Sequence, residues 1–133
     1  MLYDTAPRLA RLLRAEGLGL FVISLIAYRH FGGVWGWGAL GFFLPDLAML
    51  AYLVGPRAGA WGYNIAHSTI APLLLGAAGL AGGSVLAAVA ALWLAHIGFD
   101  RALGYGLKGE SFGHTHLRNL GRAPRSRWRG ALT

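Results

Sequence analysis

SVLAAVAALWLAHIGFDRALGYG, residues 84–106, decides the fold. From Ser84 to Phe99 its one ionisable side chain is His96. At about 1.5 Å per residue a helix over this stretch is as long as a bilayer's hydrocarbon core is thick. Ala81-Gly82-Gly83 punctuates its start. Working outward, two more stretches read the same way: Val34 to Gly55, and Ala58 to Leu80 after the Gly55-Pro56-Arg57 turn. A fourth, Leu12 to Phe31, has a short uncharged core from Gly17 to Tyr28 and needs Arg14 to snorkel toward the interface.

Composition agrees. Hydrophobic residues make up 56% of the 133-residue chain and charged residues 13%, about half the share usual in soluble domains. The expected fold is all-α: a four-helix transmembrane bundle with short loops, residues 1–120, followed by a basic, disordered tail over 121–133. The chain has no cysteine, which excludes disulfides, thiolate metal sites and cysteine nucleophiles. Its net charge is +7, and the positive residues gather near the ends: Arg8, Arg11 and Arg14, then Lys108, Arg118, Arg122, Arg125, Arg127 and Arg129. They flank apolar segments and accompany no base-reading motif, so the reading is no nucleic acid and a bilayer partner. With an even number of spans, the positive-inside rule puts both termini in the cytoplasm. The tail is basic enough to be drawn to anionic headgroups. Gly55-x-x-x-Gly59 and Gly79-x-x-x-Gly83 fit close helix packing, within the chain or in a homo-oligomer.

Ionisable groups interrupt these runs. Asp46 lies in GFFLPDLAMLAYLV (41–54), His67 in WGYNIAHSTIAPLLLG (61–76), and His96 and Asp100 in the opening stretch. Each costs roughly 2.5 kcal/mol or more at the bilayer centre, which asks for a function or a partner. Counting helical rise from the cytoplasmic ends puts Asp46 and His67 about 13 Å deep, His96 about 15 Å and Asp100 about 9 Å. Three helices therefore bring their ionisable groups to one layer. His96 and Asp100 share a face at i,i+4, and Tyr63 and Asn64 share the face of His67.

Imidazole with carboxylate and no thiolate suits one divalent ion, Zn, Mn or Fe. His67, His96 and Asp100 are the candidate ligands, and Asp46 a ligand or the catalytic general base. Glu16 and Arg101 are candidates at the edge of the cluster. His114 and His116 form a His-x-His pair beyond the last helix. The same residues also fit three other readings: a haem held by His67 and His96, a proton or ion pathway, and a purely structural hydrogen-bonded cluster.

LLRAEG (12–17), PDLAMLAYLVGPRAGAWGYNIAH (45–67), APLLLG (71–76), LWLAHIGFDRALGYGLKGESF (92–112) and THL (115–117) resemble an uncharacterised family of small bacterial membrane proteins, domain of unknown function forty-two sixty. That resemblance implies a multi-pass protein of the bacterial inner membrane and no particular activity. Pro45-Asp46, His67-Ser68 and His96-to-Asp100 are similar in order to elements of inner-membrane metal-dependent hydrolases. Ala48 stands where those carry a second Asp, and no His-Arg-Gly precedes His67. The likeness implies hydrolysis of a lipid-like substrate with one metal rather than two. An oligomeric transporter or proton-conducting module is the alternative.

Overall fold

A computed structural model describes residues 2–108, and every regular element in that range is helical. In chain order they are α1 (Leu2–His30), α2 (Trp35–Gly41), a 3₁₀ helix, here η1 (Leu44–Leu53), α3 (Pro56–His67), α4 (Ile70–Gly82) and α5 (Ser84–Leu103). Three stretches are long and apolar enough to cross a membrane: Trp35–Leu53, Pro56–Gly82 and Ser84–Leu103. Large apolar side chains cover their outer surface, among them Leu53, Trp61, Leu80 and Val85. Lipid rather than water is the solvent such a surface fits.

α5 is the centre of the fold. Its buried positions are Ala87, Ala88, Ala90, Ala91, Ala95, His96, Ile97 and Gly98. Small side chains here let neighbouring backbones come close, which is how helices gain van der Waals contact in a membrane. α1 lies along α5, α4 packs on α5, and α3 packs on η1. α1 and α5 approach closely at Gly17 and Gly98: a methyl group on Gly98 would stand 2.5 Å from the Phe21 nitrogen and 2.8 Å from the Gly17 carbonyl oxygen. Both obstacles are backbone and cannot swing aside. Gly59 and Gly79, from the small-residue patterns, also serve contacts inside the chain, against Tyr52 and Ala87.

The expected helix boundaries need three corrections. α1 extends back to Leu2, ten residues before the expected start at Leu12. Arg14 does not simply snorkel; its Nε donates to the Ala102 carbonyl at 2.9 Å, satisfying a terminal carbonyl of α5. α5 stops at Leu103 because Gly104 turns left-handed, φ +94°. The Tyr105 N–H then reaches back to the Asp100 carbonyl at 2.8 Å, closing the helix end.

The third correction matters most. The second and third segments are not continuous helices. The second breaks after Gly41 and resumes at Leu44; the third breaks at Ser68-Thr69. Each break lies four residues before a proline, Pro45 and Pro72 respectively. A proline offers no N–H to the carbonyl four residues back, and its ring crowds that carbonyl. Gly41 and Ser68 are those residues, and Ser68 is extended, with φ −79° and ψ 140°.

Candidate metal centre

Both breaks open onto the same point. Asp46 sits in the first turn of η1, directly after Pro45. His67 is the last residue of α3. His96 and Asp100 come from the buried face and last turns of α5. One ligand atom from each of these four residues lies within 4.8 Å of the other three. The fold brings together the four residues that the sequence placed in one layer.

The distances are specific. His67 Nε2 lies 3.1 Å from His96 Nε2. Asp46 Oδ1 is 3.4 Å from His67 Nε2 and 3.3 Å from His96 Nε2. Asp100 Oδ2 is 3.4 Å from His67 Nε2 and 3.5 Å from His96 Nε2. A tetrahedral ion with bonds of about 2.0–2.1 Å holds its ligand atoms about 3.3–3.4 Å apart. The five separations that involve a histidine nitrogen are thus close to the edge of a tetrahedral coordination shell, and all four ligand atoms lie within 4.8 Å of one another. The histidine side chains are 3% and 1% exposed, Asp100 17% and Asp46 37%, so the site opens on the Asp46 side.

The surroundings fix the orientation of His67. Its Nδ1 donates to the Tyr63 carbonyl at 2.9 Å. A carbonyl can only accept, so the proton of neutral His67 is on Nδ1 and the Nε2 lone pair faces the cluster. The Tyr63 ring stacks on the imidazole, with centroids 3.7 Å apart and planes 10° apart. The Tyr63 hydroxyl is 3.4 Å from Asp100 Oδ2, so one side chain braces two of the four groups. His96 is held by shape instead: Phe42 packs edge-on against it at 5.2 Å. Its Nδ1 is buried and has no hydrogen-bond partner among the described residues.

The break beside His67 is chemically closed. Ile70 N–H turns to the Ser68 hydroxyl at 3.3 Å and is lost to Ala66, its helical acceptor four residues back. The Ala66 carbonyl instead receives the Trp93 indole N–H from α5 at 2.6 Å. Irregular backbone at membrane depth requires such replacement partners.

After α5 the chain returns over α3. Asn64 pairs with the backbone of Lys108 twice, its amide donating to the carbonyl at 2.8 Å and its oxygen accepting from the N–H at 2.7 Å. This seats the Lys108 ammonium 4.2 Å from the centre of the Tyr63 ring. Burial lowers the Lys108 pKa from its ordinary value, while Asp100 and Asp46 oppose that shift.

Of the candidates read from sequence, Asp46, His67, His96 and Asp100 converge, with Tyr63 in contact. Asn64 serves the returning chain rather than the cluster. Glu16 is exposed on α1 and outside the group. Arg101 lies against Gly17 of α1 and is outside the group as well. His114 and His116 lie outside the described residues. Two residues were missed, Trp93 and Lys108. The helix break that Trp93 serves was signalled by Pro72. The haem reading does not fit: axial ligands stand on opposite faces of a flat macrocycle, whereas these nitrogens are adjacent and share their space with two carboxylates.

Fold and site together define a helical membrane protein with a buried two-histidine, two-aspartate cluster at the junction of broken helices. The chain belongs to the family described as domain of unknown function DUF4260, whose model matches residues 10–120. No curated protein and no solved structure matches it.

Proposed function

We propose that this protein binds one divalent metal ion, Zn, Mn or Fe, in the membrane and uses it to hydrolyse a lipid-like substrate. His67, His96 and Asp100 are the ligands, and Asp46 is the fourth ligand or the general base. The observation that carries this reading is the convergence of four ligand atoms within 4.8 Å of one another, with the five separations to a histidine nitrogen at 3.1 to 3.5 Å. Proton counting supports it. Neutral His67 has no proton on Nε2, and His96 has at most one to share among three acceptors. One cation satisfies all four groups together.

A bound metal would polarise a substrate oxygen and lower the pKa of a water it holds. The protein's own part is orientation and proton transfer. Tyr63 fixes the tautomer and plane of His67 and touches Asp100. Asp46, the most exposed of the four, is the group able to turn from the cluster and accept a proton from an attacking water. Four spans with both termini in the cytoplasm of a bacterium, the inner membrane being the location, complete the proposal on the charge pattern of the sequence.

Metal analysis of gently purified protein tests it. About one equivalent is expected in the wild type and less than one tenth in His96→Ala, by an order-of-magnitude criterion for losing a buried ligand. A wild type carrying under about one tenth of an equivalent sinks the reading.

The paired helix breaks favour a second reading, an oligomeric transporter or proton-conducting module, because discontinuous helices commonly frame transport sites. It expects pH-dependent flux across proteoliposomes that disappears in Asp46→Asn.

A further inference from the structure

An apolar groove of about 810 Å³ is walled in part by chain neighbours of the cluster residues, which do not themselves line it. Its deep end, meaning the end that neighbours the cluster in the chain, is formed by the half-buried Pro45, Ala48, Ala66, Leu92 and Trp93. Pro45 precedes Asp46 in the chain, Ala66 precedes His67, and Leu92 is one helical turn before His96. Three of the four ligands thus have a neighbour in the groove wall. From there the groove extends along the first half of α5, past Val89 and Val85, to the α1–α2 turn at Phe31 and Gly32.

The wall is mostly apolar. Tyr28, Trp93 and Trp37 carry polar hydrogens there, and those of Tyr28 and Trp93 are given to backbone carbonyls, of Val34 at 2.7 Å and Ala66 at 2.6 Å. The outer wall includes Trp37 and Leu40, each 74% exposed on a segment apolar enough to cross a membrane. The groove is therefore continuous with the surface that meets lipid. Its volume lies within the roughly 300–1,000 Å³ of small-molecule sites. Ala48 contributes here as well: two residues after Asp46, it supplies a methyl group to the wall.

We propose that the groove holds one acyl chain of a membrane amphiphile, threaded from the lipid-facing surface so that its polar head meets the Asp46 side of the cluster. The occupant is a lipid with at least one extended hydrocarbon chain, and the bond presented to the cluster is the one joining chain to head. The head-group half of this proposal rests on the metal reading above; the chain half does not.

The test uses the full chain in vesicles of phosphatidylcholine doped with a phosphatidylcholine carrying a diazirine on one acyl chain. After irradiation, labelled residues are located by peptide mass spectrometry. Labelling is expected at Ala66 and Leu92, at the deep end, as well as at Leu53 and Leu80 on the outer surface. Val89→Trp and Ala48→Phe fill the groove from different walls. Each should lower labelling of Ala66 and Leu92 at least about tenfold and leave Leu53 and Leu80 unchanged; two separate positions guard against one variant misfolding. Deep-end labelling that is absent in the wild type, or that persists in both folded variants, overturns the assignment. Metal content of the same samples separates the two proposals. A wild type that is labelled but metal-free keeps the groove and removes the hydrolase. A metal-loaded protein without deep-end labelling removes the groove.

Discussion

Tyr63 is the residue on which the geometry of the cluster turns. Its carbonyl sets the proton of His67, its ring sets the imidazole plane, and its hydroxyl reaches Asp100. Tyr63→Phe keeps the first two and loses the third. Removing such an outer partner typically costs 10–100-fold in metal affinity, so a loss near 10-fold is expected in a competition titration with a chelator. Tyr63→Leu also removes the stacking and should fall further. Trp93→Phe leaves the Ala66 carbonyl without its donor and should lower stability by about 1–3 kcal/mol, read as the loss of thermal or denaturant resistance in detergent. The four cluster residues were legible because an acid or an imidazole inside an apolar run is anomalous on its face. Trp93 was not, since an indole in such a run is ordinary. Lys108 was hidden for another reason: Asn64 grips its backbone, and a backbone contact leaves no mark on residue type.

At the scale of elements, each proline sits one step from the chemistry. Pro45 and Pro72 end the preceding helices at Gly41 and Ser68, and so release Asp46 and His67 from continuous helical geometry. Hydropathy alone merged α2 with η1 and α3 with α4, because both halves of each pair are apolar and the period of the pattern does not lapse. The proline-minus-four rule would have placed both breaks. Pro72→Ala restores an N–H that can reach the Ser68 carbonyl and lets α3 run on into α4. Metal affinity is expected to fall at least about tenfold, the scale of other changes just outside a ligand shell, with no loss of thermal stability. Unchanged affinity in this variant would mean that the break is incidental to the site.

Over the whole molecule, α5 is the element to which the rest is fitted. Gly98→Ala would push a methyl group into the backbone of α1, and overpacking of this kind costs about 1–3 kcal/mol. A lower melting temperature is expected, together with weaker metal retention, because His96 and Asp100 flank Gly98 on the same helix. Topology has a direct check, helped by a sequence free of cysteine. Single cysteines at Arg57 and Ser84 bracket one membrane-crossing segment, Pro56–Gly82. A membrane-impermeant maleimide added to sealed vesicles should label one and spare the other, and equal labelling would contradict the crossing. The helical class and the apolar segments were readable from composition and run length. The tether from Arg14 to Ala102 was not, since it joins residues far apart in the chain through a main-chain oxygen.

The exchange of donors at Ala66 also bears on how the protein is made. α5 leaves the ribosome after the segments it completes. Until it arrives, the Ala66 carbonyl lacks the Trp93 indole, and Asp46 and His67 lack His96 and Asp100, the half of the cluster that α5 supplies. The nascent protein thus enters the bilayer with unmatched polar groups at a depth where each costs several kcal/mol. A chain truncated before Ser84 is therefore expected to leave these groups unmatched and to be less abundant in cells than the full chain, measured as steady-state level.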